Sequence, residues 1–367
     1  SMKHLRKVAL LLCALMLLTT LVACSGGDEG TANNGGNTNT EDNSGENTGG
    51  PTPDNPVTLK FSGINGDEHI TTIKMKEIAA EIEELTEGAV KVDVYAANSL
   101  GEMNLVLQSM IDGSVEMSMG YVDATFAKTT DLFTVGYLIS NFEENKIAMS
   151  NTSNMFKALY NDFDNLGLEL VGLFGEGLTG MSTTKVPDNY NVAGAAKNTV
   201  MRVPLSETVK NCITTMGFQT VSITFADTYS SIQTGVCDGS SCQTPTGVYT
   251  QLVDVIDYYI PYLQVPEVFE ALLSPVVYHL CTEEQVQIIK DTLIKYCDEM
   301  ADNAEANCDE GMANLEAAGV EVLPLTDEEI QAFADLERST NWDVLPDMFG
   351  ADVMEGIYAD LGIDIEV

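Results

Sequence analysis

The strongest constraint on the fold is an alternation of strand and helix signals that occurs twice. Val57-Thr58-Leu59-Lys60-Phe61-Ser62 alternates apolar and polar residues as a strand does. Met75, Ile78, Ala79, Ile82 and Leu85 then recur at helical spacing, and Gly88 closes that helix. Val90, Val92 and Val94 mark a second strand, and Leu105, Val106, Met110 and Ile111 a second helix. Residues 115–121 form a third strand. The order β-α-β-α-β requires crossover connections, hence a parallel sheet. A helix over 143–166 leads to an apolar strand at 168–174. The pattern then returns as strand 199–203, helix 206–216, strand 219–225 and helix 227–235. Two such halves predict an α/β fold of two lobes with a ligand cleft between them. Ligands of open α/β sheets lie at the carboxyl ends of the strands. Residues 282–318 read as one very long connecting helix, about 50 Å at 1.5 Å per residue. That exceeds one lobe, so the helix should run beneath both. The predicted limits are 57–178 plus about 265–300 for lobe I, and 179–264 plus about 301–367 for lobe II.

The first 56 residues carry a different signal. Lys3, Arg6 and Lys7 precede an apolar run from Val8 to Val22 that is short for a membrane span. Residues 1–23 therefore read as a secretory signal peptide. The run ends Leu21-Val22-Ala23-Cys24-Ser25-Gly26, a lipoprotein cleavage box, so Cys24 is the expected lipidation site. Residues 25–56 are Gly, Asn, Thr, Ser, Asp, Glu and Pro with almost no apolar side chain. They are expected to form a disordered tether, roughly 30 Å in root-mean-square reach. The folded part would then be extracytoplasmic, anchored by lipid to the outer face of the cell membrane.

Seventeen basic residues oppose 56 acidic ones, a formal charge of −39. Such a surface repels nucleic acid and anionic lipid. It also repels an anionic ligand at long range, so an acid receptor of this charge needs a local positive site. Cys212, Cys237, Cys242, Cys281, Cys297 and Cys308 fall in the folded region, where an extracellular setting permits disulfides. Cys237 and Cys242 flank a short Asp-Gly-Ser-Ser turn and form the expected local pair. Cys297 and Cys308 lie three helical turns apart, too far to bond. No Cys-x-x-Cys pair exists and histidine is scarce, so no metal site is expected. The acidic residues of the long helix read as a solvated face.

Against this background one arginine stands out. Arg202 ends the strand of Met201-Arg202-Val203-Pro204. Some twenty residues on comes Phe225-Ala226-Asp227-Thr228-Tyr229, continuing to Ile232-Gln233-Thr234-Gly235-Val236-Cys237-Asp238-Gly239. A planar, always charged guanidinium at a strand end suits capture of a small carboxylate through two parallel hydrogen bonds.

These blocks, in this order and spacing, resemble the substrate-binding proteins of TRAP transporters, the DctP family. The resemblance runs from Val57 to about Gly350. Ser99-Leu100-Gly101-Glu102 with Leu107 and Met110-Ile111-Asp112-Gly113-Ser114-Val115-Glu116-Met117 is similar to a further block of that family. The resemblance implies a periplasmic-binding-protein-like fold whose lobes are joined by crossing strands and a long helix. It implies closure around a small organic acid and delivery to small and large membrane subunits, with no cofactor and no catalysis. The family arginine that pairs with the ligand carboxylate falls on Arg202. The family often follows Asp-Gly with Gln-Glu-Asn-Pro, whose Asn contacts the ligand. Here Ser240-Ser241-Cys242-Gln243-Thr244-Pro245 is two residues longer, leaving Gln243 or Thr244 as the substitute. Many sialic-acid and dicarboxylate binders of that family have a second arginine near the position of Gly180, where Leu178-Thr179-Gly180-Met181 supplies none. That favours a monocarboxylate with an apolar or aromatic body. Tyr121, Phe174 and Phe225 are candidate walls, although such residues more often fill a core. Asn65 and His69, just after the first strand, complete the candidate ligand-binding set, although a residue such as His69 is more often found on the surface at a helix start.

Other chemistries are poorly supplied. Gly175-Glu176-Gly177-Leu178-Thr179-Gly180 fits a dinucleotide fingerprint, but no helix opens after it to hold a pyrophosphate. No Gly-x-Ser-x-Gly elbow appears, and His69 and His279 are the only histidines beyond the leader. The rival readings are a tethered sensor on the same fold without transport, and an extracellular enzyme.

Overall fold

The computed structural model describes residues 49–365. The expected signal peptide, Cys24 and most of the tether lie outside them. The last residues of the tether are ordered: Thr52 and Asn55 pair across a tight turn, and Gln285 Nε2 donates to the Pro51 carbonyl at 2.9 Å.

In chain order the elements begin with β1 (Val57–Gly63), α1 (Ile70–Leu85), β2 (Val90–Tyr95), α2 (Met103–Ile111) and β3 (Met117–Gly120). After a 3-10 turn at Lys128–Thr134 come α3 (Phe142–Met149), α4 (Asn154–Asn165) and β4 (Glu169–Leu178). The chain continues with β5 (Gly180–Thr183), β6 (Val200–Val203), α5 (Glu207–Thr215), β7 (Gln219–Ser222), α6 (Thr228–Gln233) and β8 (Gly239–Gln243). Next are α7 (Pro245–Leu252), β9 (Tyr258–Ile260), β10 (Pro266–Leu273), α8 (Val277–Leu280), α9 (Glu283–Asp302) and α10 (Ala304–Ala317). Last come β11 (Glu321–Val322), α11 (Asp327–Asn341), α12 (Leu345–Phe349) and α13 (Ala351–Leu361).

The strands form two sheets, of five strands in the order β2-β1-β3-β10-β4 and of six in the order β11-β9-β5-β8-β6-β7. The expected parallel pairings are β1 with β2 and β3, and β6 with β7 and β8. The remaining partners of β10 and β5 are antiparallel, because those strands carry the chain between sheets. Only Thr179 separates β4 of the first sheet from β5 of the second, and the return runs from β9 to β10. At that crossing the Thr179 N–H and hydroxyl both donate to the Val265 carbonyl, at 2.9 and 2.8 Å.

The first sheet is covered on both faces, so its strands read as apolar runs without alternation. Parity assigns the side chains to faces, reset by one residue in β4 where Val171 is skipped in the pairing with β10. Leu59, Phe61, Val171 and Phe174 join α1 and α9 on one side. Leu170, Leu173 and Leu272 join α2, α3 and α4 on the other. The second sheet is covered by α5 and α11 on one side, and by α7 and α10 on the other.

Four expectations are corrected. The helix over 143–166 is two helices. Ser153 caps α4 by accepting the Phe156 N–H at 2.9 Å, and the run Ser150-Asn151-Thr152-Ser153 offers the backbone local hydrogen bonds that compete with a helix. The long helix is also two. At Asn303 the backbone N–H and the side-chain Nδ2 both donate to the Glu299 carbonyl, at 3.1 and 2.7 Å, which ends α9. α9 consequently packs on the first sheet, while α10 turns to α7 of the second. Cys237 and Cys242 are unpaired, as are the other four cysteines among the described residues. The segment between them is not a turn but β8, whose extension of about 3.3 Å per residue holds the thiols beyond bonding reach. Finally, the C-terminal residues do not stay with 301–341. Trp342, Leu345, Met354, Ile357 and Tyr358 enter the core of the first lobe beside Phe163. Asn154 fixes them there by donating Nδ2 to the Gly356 carbonyl at 3.0 Å and its N–H to Asp360 at 2.6 Å.

Gly239 shows how tightly β8 is inserted. A Cβ there would sit 2.0 Å from the Ser182 carbonyl oxygen and 3.0 Å from the Thr183 Cα, both backbone of β5. Gly239→Ala should therefore destabilise the protein by about 2–4 kcal/mol, the range of overpacked sites that cannot relax. Chemical denaturation reads this directly, and an unchanged midpoint would show that the two strands can part without cost.

Candidate functional site

Arg202 occupies the third position of β6, with Met201 packed into the core on one face. Parity sends Arg202 to the other face, and Pro204, which has no N–H to continue the ladder, ends the strand beside it. Arg202 as a whole is 4% exposed. Its Nε donates to the Ile223 carbonyl at 3.0 Å, and the Ser241 hydroxyl donates to the Arg202 carbonyl at 3.0 Å. Among the described residues no carboxylate lies within ion-pair distance of it, and its terminal nitrogens have no protein partner. Burial pulls its pKa down, while Cys242, Cys237 and Glu267 pull it partly back.

Arg202 opens on a cavity of about 250 Å³ between the two sheets. Most of its wall is apolar, with Ile64, Met103 and Phe133 from the first lobe, Val209 from the second and Phe269 from β10. Four further predicted residues line it: Asn65, Tyr121, Phe225 and Gln243. Phe225 is 40% exposed and stands at the mouth, where a second, shallower opening with Tyr229 and Gln251 begins. A relay of amides links the lobes. Gln243 Nε2 donates to Gln251 Oε1 at 3.0 Å, and Gln251 Nε2 lies 3.5 Å from Asn65 Oδ1. Gln243 Oε1 is buried with no partner.

Three predicted residues do not line the cavity. Phe174 is fully buried in the core against α1 and α9 and does not reach the cavity, although Phe269, its partner on β10, does. Thr244 is buried as the cap of α7, its hydroxyl accepting the Gly247 N–H at 3.2 Å. His69 does start a helix, but it is 2% exposed rather than on the surface. Its Nδ1 accepts the Thr71 N–H at 3.3 Å, so the ring proton sits on Nε2. The 3.4 Å approach of that Nδ1 to Glu176 Oε1 is therefore a contact between two acceptors, not an ion pair. Burial lowers the His69 pKa and keeps it neutral, against the charge of Glu267.

Glu267 was not singled out from the sequence and lines the cavity with Arg202. Its Oε2 accepts the Thr244 N–H at 2.8 Å. Burial first, then the charge of Glu176, push its carboxyl up to about 7. Glu176 is likewise pushed up to about 7 by burial. The missed signal was an acidic residue inside the apolar run from Tyr262 to Leu273, a rare placement unless something pairs with it. Cys242 also lines the wall, with a left-handed φ of 62° at the irregular β5–β8 pairing. Burial pushes its thiol up to about 11, which makes it a poor nucleophile.

The arrangement can hold one anionic group in a water-poor, largely apolar chamber, and it presents no nucleophile and base in contact. Comparison with known proteins agrees with that chemistry. Residues 61–340, well over half of the chain, match the family model described as bacterial extracellular solute-binding protein, family 7, or DctP. The chain is 24% identical over 315 residues to the C4-dicarboxylate-binding periplasmic protein DctP of Vibrio cholerae, spanning 83% of this chain and 90% of that one. Its fold is shared with the sugar acid binding protein DctPAm of Advenella mimigardefordensis, solved with galactonate, at a TM-score of 0.72 and 16% identity over 84% of this chain and 98% of that one. It is shared equally with a TRAP periplasmic solute binding protein of Shewanella oneidensis, solved with succinate, at a TM-score of 0.72 and 18% identity over 83% and 99%. The chain thus belongs to the DctP family of bacterial extracellular solute-binding proteins, the substrate-binding components of TRAP transporters.

Proposed function

We propose that this protein captures a small organic monocarboxylate on Arg202, closes its lobes over it and delivers it to the small and large membrane subunits of a TRAP transporter. The observation that carries this reading is the unpaired, buried guanidinium of Arg202 facing an apolar cavity. A buried charge is costly unless it is partnered, and a bidentate carboxylate is the partner its geometry fits. The number of carboxylates follows from the arginines. The only other arginine among the described residues, Arg338, stacks on Trp342 at 5.0 Å and donates to the Tyr137 carbonyl, away from the cavity. A second ligand carboxylate would meet no cation there. Closure would pivot on the crossing at Thr179 and Val265, a hinge of the kind two-lobed receptors use. Binding proceeds without turnover, and a lipid on Cys24 would tether the receptor at the outer membrane face.

Thermal melts against monocarboxylates, dicarboxylates, sugar acids and neutral sugars test this. A ligand at about a hundred times its dissociation constant adds about 2.7 kcal/mol, a rise of several degrees. Stabilisation by monocarboxylates is expected. Stabilisation by neutral sugars alone, or greater stabilisation by dicarboxylates than by any monocarboxylate, would overturn the reading.

A further inference from the structure

The cavity contains more than an anion site. Opposite the single guanidinium it presents acceptors with nothing to accept. The Gln243 Oε1 is buried and unpartnered in a side chain that is 2% exposed. Glu267 is held by Thr244 at the start of α7, whose N–H donates to Oε2, while Oε1 accepts no hydrogen bond among the described residues. The two line the same cavity as Arg202, yet Glu267 and Arg202 form no ion pair with each other, and the Glu267 charge reaches Arg202 only through space. A carboxylate ligand satisfies Arg202 and leaves both acceptors unfilled. It also brings a negative charge toward Glu267, in a chamber with too little water to screen it.

We propose that Glu267, with Gln243, is the counter-site for an ammonium group, so that the ligand is a zwitterion, an amino-monocarboxylate spanning Arg202 and Glu267. This rests on the carboxylate assignment to Arg202 and adds the other end of the molecule. An ammonium brings three donors and one positive charge, which fills Gln243 Oε1 and the free Glu267 oxygen and neutralises Glu267. With Glu267 ionised, a zwitterion leaves the site electrically balanced, whereas a simple acid or a dicarboxylate does not. The apolar walls of Ile64, Met103 and Phe133 then face the body between the two charged ends.

The reading has a pH signature. The titratable and charged groups around Glu267 are Glu176 on β4, His69 at the start of α1, Arg202 on β6, Cys242 on β8, Tyr259 on β9 and Cys308 on α10. Burial keeps the thiols and Tyr259 neutral, and it keeps His69 uncharged, so the carboxyls govern the pH response near 7. An ammonium ligand binds the ionised carboxylate and tightens as pH rises through about 7. An anionic hydroxy acid prefers protonated Glu267 and tightens as pH falls.

Titration calorimetry of the full chain decides the matter with matched pairs: alanine and propanoate, leucine and 4-methylpentanoate, 4-aminobutanoate and butanoate, with lactate and succinate beside them. At least one amino acid should bind about tenfold or more tightly than its deaminated partner, as expected for a hydrogen bond to a charged group. Glu267→Gln should erase that preference, weakening the amino acid and, above about pH 7, tightening the deaminated acid by removal of the facing charge. Arg202→Ala should weaken both members of the pair. Tightest binding by a deaminated acid, by lactate or by succinate overturns the zwitterion, as does weakening of the amino acid as pH rises through 7. Failure of every amino acid to bind at millimolar concentration overturns it too. A preference lost in Glu267→Gln but insensitive to Arg202→Ala would sink the carboxylate assignment instead. The pH series on the unaltered protein keeps the test valid if Glu267→Gln folds poorly.

Discussion

Arg202→Ala should abolish high-affinity capture of the carboxylate ligand and leave the fold intact. Truncating one partner of a buried, hydrogen-bonded charge pair costs about 2–5 kcal/mol, or about 30-fold to several thousandfold in affinity. The upper half of that range is expected, because no second cation among the lining residues takes over. Stability should change little. The side chain gives up one hydrogen bond to the Ile223 carbonyl, worth about 1 kcal/mol, and removes a buried charge whose burial is itself unfavourable. Arg202→Lys should fall between wild type and alanine, since an ammonium restores the charge but not the planar fork. Calorimetric titration of the three proteins with the same acid checks this. Alanine binding within threefold of wild type would remove Arg202 from the site.

The second large effect concerns pH. Glu176, Glu267 and Glu337 have carboxyls pushed up to about 7, and Glu270 to about 8, in every case chiefly by burial. Their reference value is 4.5, so between about pH 4.5 and 8 the folded state holds protons that the unfolded state has released. Stability must then fall as pH rises through that window. His69, lowered by burial, acts oppositely: below its ordinary 6.5 the unfolded state takes up a proton that the folded state refuses. Four carboxyls outweigh one imidazole, so the melting point should be highest near pH 5.5 and lower by more than about 5 °C near pH 8.5, a loss on the order of a few kcal/mol. The negative surface also favours lower pH, but salt screens that contribution and leaves the buried one. The difference should therefore persist at high ionic strength. Glu270 is fully buried, with Oε2 accepting the Val122 N–H at 2.9 Å and Oε1 unpartnered. Glu270→Gln should flatten the profile above pH 7. A melting point that is level or rising from pH 5.5 to 8.5 would show that these carboxyls open to water before they titrate.

The buried acids also mark where reading along the chain stops. An acidic residue in an apolar strand is visible in one dimension, but which face it takes is not. Glu267 and Glu270 lie three apart on β10 and fall to different surroundings, one on the cavity and one on the Val122 backbone. Phe174 and Leu173 are equally apolar neighbours, and only the pairing of β4 with β10 decides which of them packs against α1 and α9 and which against α2, α3 and α4.

The β-α-β-α-β order of the first half, the α/β repeat in the second and Arg202 as the lone cation at a strand end were determined by the sequence alone. Each rests on local rules: period-2 and period-3.6 patterns, a proline that ends a strand, and a lone cation in an apolar segment. The breaks at Asn303 and at Ser150–Ser153, the unpaired state of Cys237 and Cys242, and the return of α13 to the first lobe were decided by tertiary structure. So was the union of Arg202 with Gln243 and Glu267 around one cavity. The physical reason is that strand pairing joins residues far apart in the chain. Arg202 and Glu267 line one cavity because two crossing strands join the sheets that carry them, and no pattern along the chain encodes a juxtaposition of that kind.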